Sequence, residues 1–245
     1  MSIGKRTGER GVARVFCILF PLLLVLWVLL VLYPNPSRLV LSVERLIDPG
    51  TNAAAAEAVA ASLPSDPAAI ESAVLKNVPY SYDWEVYGMP WYFPTVDEVL
   101  EKGTGDCKGR ALVLASVLEA KDIPYTLNTS PMHVWVDYEG KVETDIENQN
   151  AGFYALDPET GERSFSLPSI DAWRVMDSFW QGFWPHMPWE RKALLIAGPV
   201  ILIAARVNWA QRATARDREE AGTRARPAAK EESPQGTTGK DTTAV

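Results

Sequence analysis

The feature that most limits the fold of this chain is an uncharged apolar run near its N-terminus. Residues Val15 to Tyr33 form a stretch of 19 residues without a charge. At about 1.5 Å per residue, a helix of this length crosses the hydrocarbon core of a bilayer. A cleavable signal peptide is the competing interpretation, but its apolar region is normally about 7–15 residues long and ends in a small-residue site. Because Pro34-Asn35-Pro36 follows here, the pattern favours a retained transmembrane helix over residues 15–33.

A second apolar segment lies near the other end of the chain. Ala193 to Ala205 contains 13 uncharged residues, a length typical of a core or interfacial helix as well. Tryptophans on both sides resemble an aromatic belt, and Lys192 and Arg206 at the edges can lengthen a span by snorkelling. We therefore expect a second transmembrane helix over residues 190–209. The alternative is a helical hairpin that lies on the bilayer surface.

The charges are divided between the middle of the chain and its ends. The whole chain has a net charge of −7, and residues 34–185 hold 10 Lys and Arg against 23 Asp and Glu, a net of −13. The basic flanks predict a multi-pass protein of the cell membrane, with residues 1–14 and 210–245 cytoplasmic and residues 34–185 outside. The composition of the tail over 210–245 predicts disorder. The acidic balance disfavours a nucleic-acid partner.

The periodicity of the middle segment predicts helices first and antiparallel strands afterwards. The predicted helices are Ser37–Ile47 (amphipathic and next to the membrane), Asn52–Leu63, Asp66–Lys76, Thr95–Lys102, Cys107–Ala120 and Ser169–Trp180. The predicted strands are Tyr125–Asn128, His133–Tyr138, Lys141–Ile146, Phe153–Leu156 and Arg163–Leu167. This order is typical of an α+β domain with N-terminal helices packed on an antiparallel sheet.

One cysteine of the predicted outer domain has an unusual setting. Cys107 follows Gly103-Thr104-Gly105-Asp106 and begins a long apolar helix, while the other cysteine, Cys17, lies in the first apolar run. The N-terminus of a helix favours a negative charge, so this position stabilises a thiolate over a thiol. Alternatively, a lone cysteine can act simply as a small buried apolar side chain.

His133 is the candidate base, and strand pairing offers it a carboxylate. If a hairpin turn is centred on Glu139, paired positions sum to 278, which places Asp145 opposite His133. Opposed side chains on antiparallel strands lie about 4.5–5.5 Å apart at Cβ. A shift of one residue would instead bring Thr144 or Ile146 opposite His133, so the pairing depends on the register.

Cysteine, histidine and aspartate together supply a nucleophile, a base and an orienting group for acyl transfer. Trp135, Trp84 and Trp91 could line the substrate cleft, although ordinary core packing explains them equally well. One cysteine and one or two histidines fall short of a zinc ligand set. We therefore expect neither a metal nor another cofactor.

Two stretches resemble the transglutaminase-like superfamily. They are TVDEVLEKGTGDCKGRALVLASVLEAKDIPYTL and HVWVDYEGKVETD, within about residues 66–156. The resemblance implies a papain-like α+β core over about residues 66–167, with Cys107 as nucleophile, His133 as base and Asp145 as third member. Asp157 in Leu-Asp-Pro also resembles the aspartate motif of the family and is the alternative third member.

The resemblance implies acyl chemistry on amides through a thioester, by transamidation, deamidation or hydrolysis. The expected protein is a membrane-anchored cysteine acyltransferase or peptidase that acts on a protein or peptide outside the cytoplasm. The alternative is a non-catalytic transglutaminase-like module that binds a partner at the membrane.

Overall fold

The computed structural model describes residues 19–130, 133–142, 144, 147, 152–166 and 172–225, and it begins with two helices joined at a sharp bend. Helix α1 covers Leu19–Leu32 and helix α2 covers Ser37–Ile47, and their axes differ by 75°. Residues 33–36 form the bend, because proline cannot continue a helix. Asn35 lies two residues before α2, and its Oδ1 accepts hydrogen bonds from Ser37 N (3.2 Å) and Ser37 Oγ (2.5 Å).

The next five helices form the helical layer of the domain. They are α3 (Ala53–Ala61), α4 (Pro67–Asn77), α5 (Asp83–Val86), α6 (Val96–Lys102) and α7 (Cys107–Ala120). Helix α6 carries a capping box, in which Thr95 Oγ1 accepts from Glu98 N and a Glu98 carboxylate oxygen accepts from Thr95 N. Its last turn ends at Gly103, whose φ of 64° is the left-handed conformation that glycine adopts easily.

A small antiparallel sheet packs on these helices. Its strands are β1 (Thr126–Thr129), β2 (Val134–Asp137), β3 (Tyr154–Leu156) and β4 (Arg163–Phe165), in the order β2-β1-β3-β4. Helix α7 is buried along almost its whole length and forms the centre of the core, in contact with α3, α4, α6 and β2. The predicted α+β architecture of helices on a small antiparallel sheet is confirmed.

The sheet differs from the prediction in the partner of β2. The predicted hairpin paired residues 133–138 with 141–146, whereas β2 pairs with the preceding strand β1, with Thr129 opposite Val134. The pairing of β1 with β2 extends to the residues next to both strands, where Ser130 N donates to His133 O (2.7 Å). Of the predicted strand 141–146, Lys141, Val142 and Thr144 are not in a strand, and residues 143, 145 and 146 lie outside the described part of the chain.

Two further helices follow the sheet. They are α8 (Ala172–Phe183) and α9 (Trp189–Ala225). Within α9, Trp189–Arg216 has a mean hydropathy of 1.7 over its most apolar window and is long and apolar enough to span a membrane. The helix continues beyond the predicted boundary at residue 209, and the predicted disorder of the tail does not extend to residues 210–225. Alanine, arginine and glutamate are good helix formers, and extending an existing helix avoids the cost of nucleation.

The chain divides into two compact units, residues 1–198 and 199–245. Within the first unit, the beginning of α9 lies against α1. Trp27 Nε1 donates to Leu194 O (3.0 Å), Arg191 donates to Val31 O, and the Trp27 indole lies so close to Gly198 that a Cβ there would overlap it. Small residues allow such close approach in membrane helix pairs. Over its described residues α1 reaches the length of a span only together with the bent α2, so the first span stays a prediction.

Candidate active site

Cys107 is the first residue of α7, and three interactions fix the loop that leads to it. Gly105 pairs with Tyr80 in an isolated parallel bridge, and Thr104 Oγ1 donates to Pro79 O (2.8 Å). Asp106 is the N-cap, since its Oδ1 accepts from Lys108 N (3.1 Å) and Gly109 N (3.4 Å). The half-buried Cys107 thiol is therefore held at the positive end of a well-capped helix, as the sequence predicts.

Gly109 allows the start of α7 to approach α6 closely. A Cβ at this position would lie 3.0 Å from a methyl carbon of Val99, which is completely buried. The absence of a side chain thus lets the first turn of α7, with Cys107, pack directly on the helical layer. This contact fixes the position of Cys107 independently of the N-cap of α7.

His133 lies beside Cys107, immediately before β2. Its main-chain N donates to Ser130 Oγ (2.9 Å), and the Cys107 side chain lies close enough to the ring to raise its pKa. Nε2 is 2.7 Å from Glu147 Oε1, so this ring nitrogen is occupied by the carboxylate. Burial lowers the pKa of His133, but its interactions with Cys107 and Glu147 outweigh burial and raise the pKa to about 9. His133 is therefore a cation at neutral pH.

Glu147 is the functional residue that the sequence reasoning missed. Its hydrogen bond with His133, together with the ion pair to Lys141, holds its pKa below the usual range despite burial. Lys141 Nζ lies 3.1 Å from Glu147 Oε2 and 3.1 Å from Glu71 Oε1, and Tyr138 donates to the other Glu71 oxygen (2.6 Å). Glu147 is thus a carboxylate that is fixed at both oxygens, which is the property required of a group that orients a histidine.

The two predicted third members have different outcomes. Asp145 lies outside the described residues, so its pairing with His133 stays a prediction. Asp157 lies at the end of β3 that is remote from His133, where its carboxylate accepts from Thr160 Oγ1 (2.8 Å) and Glu159 N (2.9 Å). Asp157 therefore closes the turn to β4 and does not orient the histidine.

A buried ionic cluster lies next to Cys107. Lys108, only 5% exposed, contacts the carboxylates of Asp83 (2.9 Å) and Asp106. Asp83 also accepts from Tyr92 N (2.8 Å), and burial raises its pKa to about 6 against the opposing effect of Lys108. The two carboxylates hold the pKa of Lys108 above its usual range although burial acts in the other direction. Lys108 is thus a permanent cation that ties the segment at α5 to the N-cap of α7.

Cys107 and His133 lie between two cavities. The larger, of about 600 Å³, has aromatic walls that include Tyr80, Trp91 and Phe183. The smaller, of about 230 Å³, is lined on the other side by Trp135, Lys141 and Glu147, among others. Cys107, His133 and Tyr80 line both cavities, so a molecule in either one could contact the sulfur.

The predicted aromatic residues divide between these cavities and the core. Trp91 lines the larger cavity, and Trp135, with its ring stacked on His133 at 5.9 Å, lines the smaller one. Trp84 lines neither and is buried against Phe183 with a ring distance of 5.9 Å. Tyr80, which the sequence does not single out as a site residue, lines both cavities. Burial and the charges of Cys107 and Asp106 raise the pKa of Tyr80, so its hydroxyl stays protonated.

Within the described residues, no group of three or more His, Cys, Asp or Glu side chains is placed to hold a metal ion. Comparison of the chain with protein-family models, with curated proteins and with solved structures gives no match.

Proposed function

We propose that this chain is a membrane-anchored, transglutaminase-like cysteine enzyme that transfers the acyl group of an amide through a thioester. The observation that carries the proposal is the position of His133 between Cys107 and Glu147, with its pKa raised to about 9. A cationic imidazole beside a thiol at a helix N-terminus is the arrangement that makes sulfur nucleophilic at neutral pH.

In the first half-reaction, the Cys107 thiolate attacks the amide carbonyl carbon and forms the C–S bond. The developing oxyanion needs hydrogen-bond donors. The Cys107 N–H at the start of α7 is the most direct candidate, because no acceptor in the described part of the chain binds this N–H. As the tetrahedral intermediate collapses, the C–N bond breaks and His133 gives its proton to the leaving amine. The product of this step is a thioester on Cys107 with a neutral His133.

In the second half-reaction, neutral His133 takes a proton from water or from a primary amine as that acceptor attacks the thioester carbonyl. The C–S bond breaks, the thiolate returns and His133 is again protonated. The products are a carboxylic acid if water attacks and a new amide if an amine attacks. Glu147 stabilises the imidazolium in both steps because its charge faces Nε2 of the ring.

The proposal is tested by alkylation of the purified full chain with iodoacetamide at neutral pH, in a Cys17→Ser background so that only Cys107 reacts. His133→Ala should slow the alkylation of Cys107. His186→Ala is the matched control, since the His186 ring contacts Glu85 (3.0 Å) and stacks on Tyr82. An unreactive thiol, or equal rates in the His133 variant and the parent, would contradict catalysis and favour a non-catalytic binding module.

A further inference from the structure

Two amphipathic helices border the larger cavity, and each is joined to an apolar helix by a short connection. Residues 33–36 link α2 to α1, and residues 184–188 link α8 to α9, which contains the segment long and apolar enough to span a membrane. Leu46 of α2 and Phe183 of α8 both line the cavity that holds Cys107. The connections are too short for either helix to move far from the point where its neighbour would enter a bilayer.

Helix α2 has one face on the protein and an apolar face on the outside. Its inner face carries Ser42, which is completely buried and accepts from Phe93 N (3.1 Å). Its outer stripe is formed by Val40, Val43 and Ile47, which are 59%, 44% and 55% exposed and follow the i, i+3, i+7 spacing of one helix face. The 75° bend between α1 and α2 means that α2 lies almost parallel to the membrane plane when α1 crosses it.

Helix α8 repeats this pattern. Gly182 packs on the ring of Tyr82, and Phe183 packs on Trp84, so this side of the helix faces the domain. Trp173, Met176 and Trp180 have the same i, i+3, i+7 spacing and are 85%, 64% and 57% exposed. Tryptophan is the residue that prefers the headgroup region of a bilayer. A helix with such a face that lies beside a membrane helix has the properties of an interfacial helix.

We propose that the outer faces of α2 and α8 lie in the headgroup region of the phospholipid bilayer, so that the Cys107 cavity opens at the membrane surface and takes an amide substrate that is itself bound to the membrane. The docking of the two helices on the bilayer is inferred from their exposed apolar faces and short connections, and it does not depend on the proposed function. The choice of substrate class rests on the proposed function of Cys107. The apolar, aromatic walls of the cavity fit a substrate that presents its amide next to a lipid or a membrane-spanning segment.

The docking is tested with the full chain in phospholipid nanodiscs, in a Cys17→Ser, Cys107→Ser background. Nitroxide labels are attached to Val40→Cys, Met176→Cys and, as a matched control, Leu75→Cys. Leu75 is also an exposed apolar residue (44%) but lies on α4, which no short connection joins to α1 or α9. Labels at 40 and 176 should collide more with oxygen than with a water-soluble nickel complex, and the label at 75 should show the reverse. Equal water accessibility at all three positions would overturn the docking.

The substrate class is tested by alkylation of Cys107 in a Cys17→Ser nanodisc sample, with soluble iodoacetamide or with a phospholipid that carries the iodoacetyl group on its head. At each position, the alkylation rate with the lipid-bound reagent is divided by the rate with the soluble reagent. This ratio should be on the order of tenfold higher for Cys107 than for Leu75→Cys, which is measured in the Cys107→Ser background. Modification by the soluble reagent alone would overturn the membrane-bound substrate and leave the proposed enzyme intact. If neither reagent modifies Cys107, the proposed function is overturned, and the substrate class with it. The docking of α2 and α8 on the bilayer is still tested by the nitroxide labels.

Discussion

Replacement of Glu147 by glutamine should lower the pKa of His133. The substitution keeps an oxygen acceptor 2.7 Å from Nε2 but removes its negative charge. In the folded protein this pKa is about 9, against about 6.5 for an unperturbed histidine, and the increase comes from Cys107 and Glu147 acting against burial. If the two partners contribute comparably, loss of one lowers the pKa by at least about one unit, equivalent to about 1.4 kcal/mol.

The same substitution should change the pH dependence of stability. Because the folded-state pKa of His133 is raised, its interactions stabilise the fold fully below about pH 6.5 and lose this contribution as the pH rises through about 9. Glu147→Gln should therefore destabilise the protein by about 1–2 kcal/mol near pH 6, and by less above pH 9. Thermal unfolding at the two pH values measures this difference.

The pKa itself is measured by NMR titration of histidine-labelled protein, in which His186 is the internal reference. Glu71→Gln is the matched control, because Glu71 binds the same Lys141 at 3.1 Å but belongs to the part of the network remote from His133. His133 should keep its high pKa in the control. A pKa near 9 in the Glu147 variant, or an equal decrease in both variants, would refute the argument that Glu147 holds His133 as a cation.

Three further changes test the framework around the site. Lys108→Met leaves two buried carboxylates without their cation and should destabilise the fold by about 3–5 kcal/mol, which is measured as a decrease in Tm. Lys76→Ala, a change at an exposed lysine, is the control and should not lower Tm. Gly198→Leu should lower Tm in detergent because its side chain overlaps the Trp27 indole, and a second change, Trp27→Ala, should restore part of the loss; no restoration would contradict this contact. Thr95→Ala removes the cap of α6 and should cost about 1 kcal/mol in unfolding free energy, whereas Thr95→Ser should cost much less.

The parts of the site that depend on local sequence could be predicted. The N-cap Asp106 and the start of α7 at Cys107 follow from short-range hydrogen bonds, as does the capping box of α6. A cap is formed by residues within one turn of each other, so its signal is contained in a few neighbouring letters. The sequence therefore located the thiol at a helix N-terminus without any knowledge of the rest of the fold.

The partner of His133 could not be found in this way because the predicted pairing depended on strand register. Strand β2 pairs with β1, which precedes it, and the described residues of the segment that follows are not in a strand. At Glu147 the hydrogen bonds are local, since Thr144 N donates to Glu147 O (3.2 Å) and Glu147 N donates to Thr144 Oγ1 (3.1 Å). The two-residue period of a strand therefore gives no signal for Glu147.

The buried cluster at Lys108 shows why stability and chemistry are difficult to separate at this site. Lysine is rarely buried, so the sequence favours a solvent-exposed side chain at position 108, and its two carboxylate partners are 23 positions apart in the chain. Yet Asp106 both caps α7 and binds Lys108, and Asp83 binds Lys108 and the main chain at Tyr92. Displacement of Lys108 would therefore disturb the cap that holds the first turn of α7. A loss of Cys107 reactivity in a Lys108 variant would accordingly be a positioning effect, and it would be accompanied by a larger loss of stability than removal of the His133–Glu147 interaction causes.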